Sequence, residues 1–125
     1  MSCTCNSPQT TCNCATALQL VETSPVAEFT LTQCANVNLH LDINDDTFFA
    51  KPTNLFPSQL FRATLVNNIP NAVIFWGVGH LFLDNPTADK LTLKENGTYY
   101  LVGTVQNNKI QWVINKTVSP TYKFE

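Results

Sequence analysis

Between Asn67 and Thr117 the sequence breaks into short stretches of alternating apolar and polar residues, punctuated by Asn, Pro and Gly and closing on Trp112. Alternation with a period of two places every second side chain on one face of an extended strand, so a chain built this way must bury one face of a sheet. The first half carries the same pattern. Val37, Leu39, Leu41 and Ile43 alternate with Asn38, His40 and Asp42, the clearest half-buried strand in the chain. Leu18 and Leu20, then Phe29 and Leu31, are predicted to lie on strands separated at Ser24-Pro25.

Further along, Asn44-Asp45-Asp46 is predicted as a turn before Phe48-Phe49, and Pro52 and Pro57 mark a loop that no interior strand tolerates. Phe61, Ala63 and Leu65 begin a strand ending at Asn67-Asn68. The run Ala72 to Trp76 is continuously apolar, which predicts a strand covered on both faces or one lying at a subunit interface. Leu81 to Leu83, Leu91 with Leu93, and Tyr122 with Phe124 read as further strands. Asn96-Gly97 is the strongest hairpin signal, predicted to join the Leu91 strand to the strand from Thr98 to Val105. Asn107-Asn108 is a weaker signal of the same kind, leading into Ile110, Trp112 and Ile114. About nine or ten strands and no convincing helix predict an all-β fold, an antiparallel β-sandwich of jelly-roll type. The expected division is residues 1–25 as an extended, Cys-rich N-terminal attachment segment and residues 26–125 as the β-sandwich domain.

Composition narrows the function classes. Charged residues make up 13% of the chain, against about 25% in an ordinary soluble domain, while Asn and Thr together number 30. Neutral hydrogen-bonding groups must keep this surface wet, which suits an exposed particle independent of screened ion pairs. The formal net charge is -2 and the seven basic residues are scattered. That pattern gives nucleic acid no electrostatic footprint, so it is excluded as a partner. No segment approaches the ~20 apolar residues that span a bilayer, and Met1 to Cys14 lacks a basic, apolar export signal. The expectation is a soluble protein assembled in a cytoplasm, with the sequons at Asn96 and Asn115 serving turn and strand chemistry.

Cys3, Cys5, Cys12 and Cys14 form two C-x-C pairs separated by six residues, and a hairpin folding at Pro8 would gather all four sulfurs. Three outcomes stay open. A zinc ion with four thiolate ligands would fold a segment that has no core, although C-x-C is a poorer chelate than C-x2-C. Disulfides, such as Cys3 with Cys14 and Cys5 with Cys12, are the rival in an oxidising setting, and free thiols are the third outcome. Cys34, at a strand end, is expected to be a small buried residue.

No catalytic constellation is visible. His40 and His80, the only histidines, have no nucleophile motif beside them and are both expected to be solvated, so the chain is read as no enzyme. Asp42, Asp45 and Asp46 lack the glycine and spacing of a calcium loop. A carbohydrate-binding module is the alternative class, because β-sandwiches present aromatic faces to sugar rings. Trp76 is its candidate platform, with Asn71, Asp84 and Asn85 as hydroxyl partners, whereas Trp112 is expected in the core.

Five pieces in order carry a family likeness: Leu65-Val66-Asn67-Asn68, Val73-Ile74-Phe75-Trp76-Gly77-Val78, Leu91-Thr92-Leu93, Asn96-Gly97-Thr98-Tyr99, and Lys109-Ile110-Gln111-Trp112. Together they resemble the β domains of bacteriophage tail fibres, head fibres and capsid decorations, over roughly residues 58 to 117. The chain departs from the usual pattern at Leu81 to Pro86, where that family has a Pro-Gly step. The resemblance implies a non-catalytic, homotrimeric virion protein that contacts other capsid or tail proteins and contributes to host attachment, with a host surface glycan as a further partner. The abundance of Phe48, Phe49, Phe56, Phe61, Phe75, Trp76 and Phe82 agrees with trimerisation, since one thin sandwich needs less aromatic surface.

Overall fold

The computed structural model describes residues 17–32 and 34–125. Among the described residues there is no helix, and eleven strands follow one another: β1 (Leu18–Thr23), β2 (Val26–Ala27), β3 (Val37–Ile43), β4 (Thr47–Phe49), β5 (Leu60–Asn67), β6 (Ala72–Trp76), β7 (His80–Phe82), β8 (Lys90–Leu93), β9 (Gly97–Gln106), β10 (Lys109–Ile114) and β11 (Tyr122–Phe124). The protein is all-β, with two mixed sheets. One has six strands in the order β1-β3-β5-β9-β10-β7, and the other has five in the order β11-β8-β6-β4-β2.

The antiparallel expectation is corrected: pairing is parallel through the first half and again between β7 and β10. β1, β3 and β5 run parallel to one another in the six-stranded sheet, and β2, β4 and β6 run parallel in the five-stranded sheet. The chain therefore coils, crossing to the opposite sheet after each strand and returning in the same direction. Antiparallel pairing begins with β9, which joins β5 and β10, and with β8, which joins β6 and β11. Alternation assigns the faces of a strand but does not say which strand lies beside it.

Small polar side chains stack the crossings at one end of this coil. The Asn44 backbone N–H donates to Ser24 Oγ at 2.9 Å, Asn68 Nδ2 donates to Asn44 Oδ1 at 2.9 Å, and Asn96 Nδ2 donates to the Asn68 carbonyl at 3.3 Å. Asn and Ser suit these places because a short polar side chain can satisfy backbone groups that leave the ladder.

Asn96-Gly97 belongs to this stack, which overturns its reading as a hairpin: β8 lies in one sheet and β9 in the other. Gly97, at φ 141°, opens β9 opposite Asn67. Tyr99 braces the crossing, since its hydroxyl accepts from the Glu95 N–H and lies 2.8 Å from the Thr121 carbonyl. This is the tyrosine-corner device of sandwich folds. The weaker signal is the true hairpin. Asn107 and Asn108 both have positive φ, 55° and 59°, and connect β9 to β10 with Gln106 opposite Lys109.

Inward side chains from both sheets share one core, including Phe29, Phe49, Phe61, Phe82, Tyr99, Leu91, Leu93 and Trp112. Most of the aromatic surplus thus belongs inside. Gly103 makes room for the largest of these groups. It sits on β9 between Phe61 and Trp112, and a Cβ there would come within 2.6 Å of Ile110 Cγ2 and 2.9 Å of Trp112 Cε3. Gly103→Ala is expected to destabilise the fold by about 1–3 kcal/mol through overpacking, read as a lower urea midpoint; an unchanged midpoint would show that the core yields without cost.

Candidate functional site

With the interior filled by side chains, surface for recognition lies on the outer faces of the two sheets. On the five-stranded sheet, register aligns Val26, Phe48, Phe75 and Lys90 in one row across β2, β4, β6 and β8. Phe75 is 39% exposed, and its ring lies 5.6 Å from that of Phe48. β6 therefore alternates in burial, with Val73 and Phe75 outward, and one of its faces is uncovered in this chain.

On the six-stranded sheet, β5 and β9 place Arg62 opposite Val102 and Thr64 opposite Tyr100. Val113 of β10 stands beyond Val102. Past β10, the turn at 115–119 folds back on the sheet: the Asn115 N–H donates to the Tyr100 carbonyl at 2.8 Å, and the Tyr100 N–H donates to Ser119 Oγ at 2.9 Å. Arg62, Thr64, Tyr100, Val102, Asn115 and Val118 line an open groove of about 610 Å³. Tyr100 is 43% exposed.

Charge on this face is sparse. The side chain of Arg62, the single arginine of the chain, has no hydrogen bond or ion pair among the described residues. Asp42 is instead engaged by His40, 3.4 Å away. Asn115 Oδ1 accepts from the Thr117 N–H at 3.1 Å, and its Nδ2 has no acceptor among the described residues. The groove thus combines a guanidinium, a phenol ring, a hydroxyl and an amide on a sheet whose backbone groups are already paired.

Of the expected glycan contacts, the aromatic platform is withdrawn from the surface. Trp76 is only 9% exposed and packs on Phe82 with ring centroids 4.5 Å apart, so it is a core side chain rather than an open platform. Asn71, at φ 64°, precedes the start of β6, roughly 16 Å along the strand from Trp76. Asp84 pairs with Lys116 at 3.5 Å, and Asn85 accepts from the Thr87 hydroxyl. Arg62, Thr64, Tyr100 and Val102 occupy outward positions of alternating strands, whereas Asn115 and Val118 come from the turn after β10. Their meeting depends on β5 lying beside β9, which no local signal announces.

His80 is a second correction. Instead of being solvated it is buried, with its Nε2 donating to the Ala50 carbonyl at 2.7 Å and its Nδ1 accepting from Trp112 Nε1 at 3.1 Å. Burial pushes its pKa down to about 4, against a smaller upward pull from the Ala50 carbonyl. Its alternation with Phe82 was the available signal. His40 is exposed, as expected.

Cys34 is buried and disulfide-bonded, which goes beyond the packing role expected of it. The clip of Cys3, Cys5, Cys12 and Cys14, whether metal site or disulfide pair, lies outside the described residues. Among the described residues no three His, Cys, Asp or Glu side chains gather at a metal-binding distance.

No protein-family model, curated protein or solved structure matches the chain.

Proposed function

We propose that this chain is a structural virion protein of a bacteriophage, a fibre or capsid-decoration subunit displayed as a homotrimer. The single observation that carries the reading is the row of Val26, Phe48 and Phe75 across the five-stranded sheet. An aligned apolar row on an outer sheet face is what a second copy covers. The resemblance to phage fibre domains supports it, because its span, residues 58 to 117, is also where antiparallel pairing concentrates. In this reading that half is the jelly-roll-like sandwich. Residues 1–25 serve as the attachment segment, whose β1 joins the edge of the six-stranded sheet.

Native mass measurement of the purified protein tests the proposal. A mass three times that of the chain is expected, and Phe75→Glu should shift it to monomer, since losing one buried Phe removes about 2 kcal/mol per interface. A wild-type monomer at tens of micromolar, or a trimer indifferent to Phe75→Glu, would refute the assigned interface.

A second reading, a carbohydrate-binding module, is favoured by the groove on the six-stranded sheet. An exposed tyrosine ring flanked by hydrogen-bonding side chains on a rigid sheet is the chemistry a sugar requires. It is compatible with a virion location, since host attachment calls for a surface ligand.

A further inference from the structure

We infer that the groove on the six-stranded sheet selects saccharides that bear a carboxylate, with Arg62 as the residue that reads the acid. The inference rests on the carbohydrate-binding reading above and adds the class of sugar. Its starting point is the unengaged guanidinium. Arg62 projects from the middle of β5 into the groove and has no carboxylate or carbonyl partner among the described residues. The one acid on the same face of neighbouring β3, Asp42, lies four residues along from Asn38, the residue opposite Arg62, which is roughly 13 Å. It is also engaged by His40. Lys116, beside the groove, is engaged by Asp84.

A planar fork of N–H donors matches a carboxylate bidentately, which a lysine ammonium cannot do. Tyr100 sits diagonally across from Arg62, one of the cross-strand positions separated by roughly 7–8 Å. An acid held by Arg62 therefore brings the attached ring over the phenol face. The Thr64 hydroxyl and Asn115 Nδ2 remain to bond ring hydroxyls.

Other occupants fit less well. A peptide adding as a strand needs an open sheet edge, whereas β5 and β9 are interior strands of this sheet with neighbours on both sides. Nucleic acid needs a line of cations along its backbone, and this groove has one.

The experiment is a titration of the isotope-labelled full chain, followed by NMR. Carboxylated probes are sialyllactose and a galacturonic acid trimer; neutral probes are lactose and cellotriose. The expected result is displacement of the Arg62 side-chain, Tyr100 and Asn115 signals, with carboxylated sugars binding at least about tenfold more tightly than neutral ones. Arg62→Gln should erase the preference, and Arg62→Lys should weaken it because charge survives without the fork. Arg62 is exposed, so a melting temperature close to wild type will confirm that these variants fold. Tyr100→Ala should weaken both sugar classes. Equal binding of neutral and carboxylated sugars at these residues overturns the acidic preference and leaves the carbohydrate reading standing. No displacement by any probe at millimolar concentration overturns both.

Discussion

Trp112→Ala is expected to remove about 4–8 kcal/mol of stability, a large share of what holds a domain of this size folded. Trp112 is fully buried, with Phe29, Phe49, Phe61 and Phe82 around its indole at centroid distances of 6.2, 6.2, 6.0 and 6.5 Å. These rings come from both sheets and from the segment between β2 and β3, so the cavity opens where the layers meet. Emptying an aromatic site of this kind costs about 3–5 kcal/mol. The orphaned His80 Nδ1, which then has no donor, adds about 1–3 kcal/mol. A typical domain stability is about 5–15 kcal/mol, so a loss of this size takes a large part of it. Trp112→Phe keeps most of the volume and loses chiefly the N–H, so its cost should fall near about 1–3 kcal/mol. Urea unfolding monitored through the remaining tryptophan, Trp76, measures both. A Trp112→Ala protein within 1 kcal/mol of wild type would show that the core closes over the gap.

Acid should weaken the fold through His80. The side chain is held neutral: its Nε2 proton serves the Ala50 carbonyl, and its Nδ1 lone pair faces the Trp112 N–H. A second proton would set two donors against each other among the rings of Phe29 and Phe49, 4.8 and 5.4 Å away. The folded protein titrates at about 4 and the unfolded chain at 6.5, so between those values the unfolded state binds more protons. The stabilisation is fully present above pH 6.5, declines as pH falls towards 4, and is absent below. At 1.36 kcal/mol per pH unit the loss is about 3 kcal/mol. His80→Gln retains a donor and an acceptor without a titrating proton, so it should flatten the dependence between pH 4 and 6.5. Parallel curves for wild type and variant over that interval would show that His80 does not carry the acid sensitivity.

The contrast between Asn96-Gly97 and Asn107-Asn108 shows where local reading stops. Both pairs favour the backbone angles of a tight turn, and the first more strongly. Only the second becomes a hairpin, because Val105 and Ile110 pair within one sheet, whereas Leu93 and Tyr99 belong to different sheets. A turn preference spans four residues. It carries no information about the sheet that the outgoing strand will join.

His80 failed for a related reason. Gly77 and Gly79 beside it look like an exposed loop, but Gly79 at φ 97° is where Pro52 presses on the chain, so close that a Cβ would lie 2.4 Å from Pro52 Cδ. That contact sets the loop after β4 against the turn that leads into β7.

The amino-acid sequence by itself determined that this protein is all-β. It also determined which side chains of β3, β5 and β10 face inward and that Trp112 belongs to the core. Each of these follows from residues one to a few positions apart, through alternation, turn chemistry or composition. Only the tertiary structure decided the parallel coil of β1 to β6, the burial of His80, the withdrawal of Trp76 from the surface, and the meeting of Arg62 with Tyr100. Those depend on strand partners distant in sequence, selected by how well whole faces pack and how the crossings stack, and neither quantity is a property of any one segment.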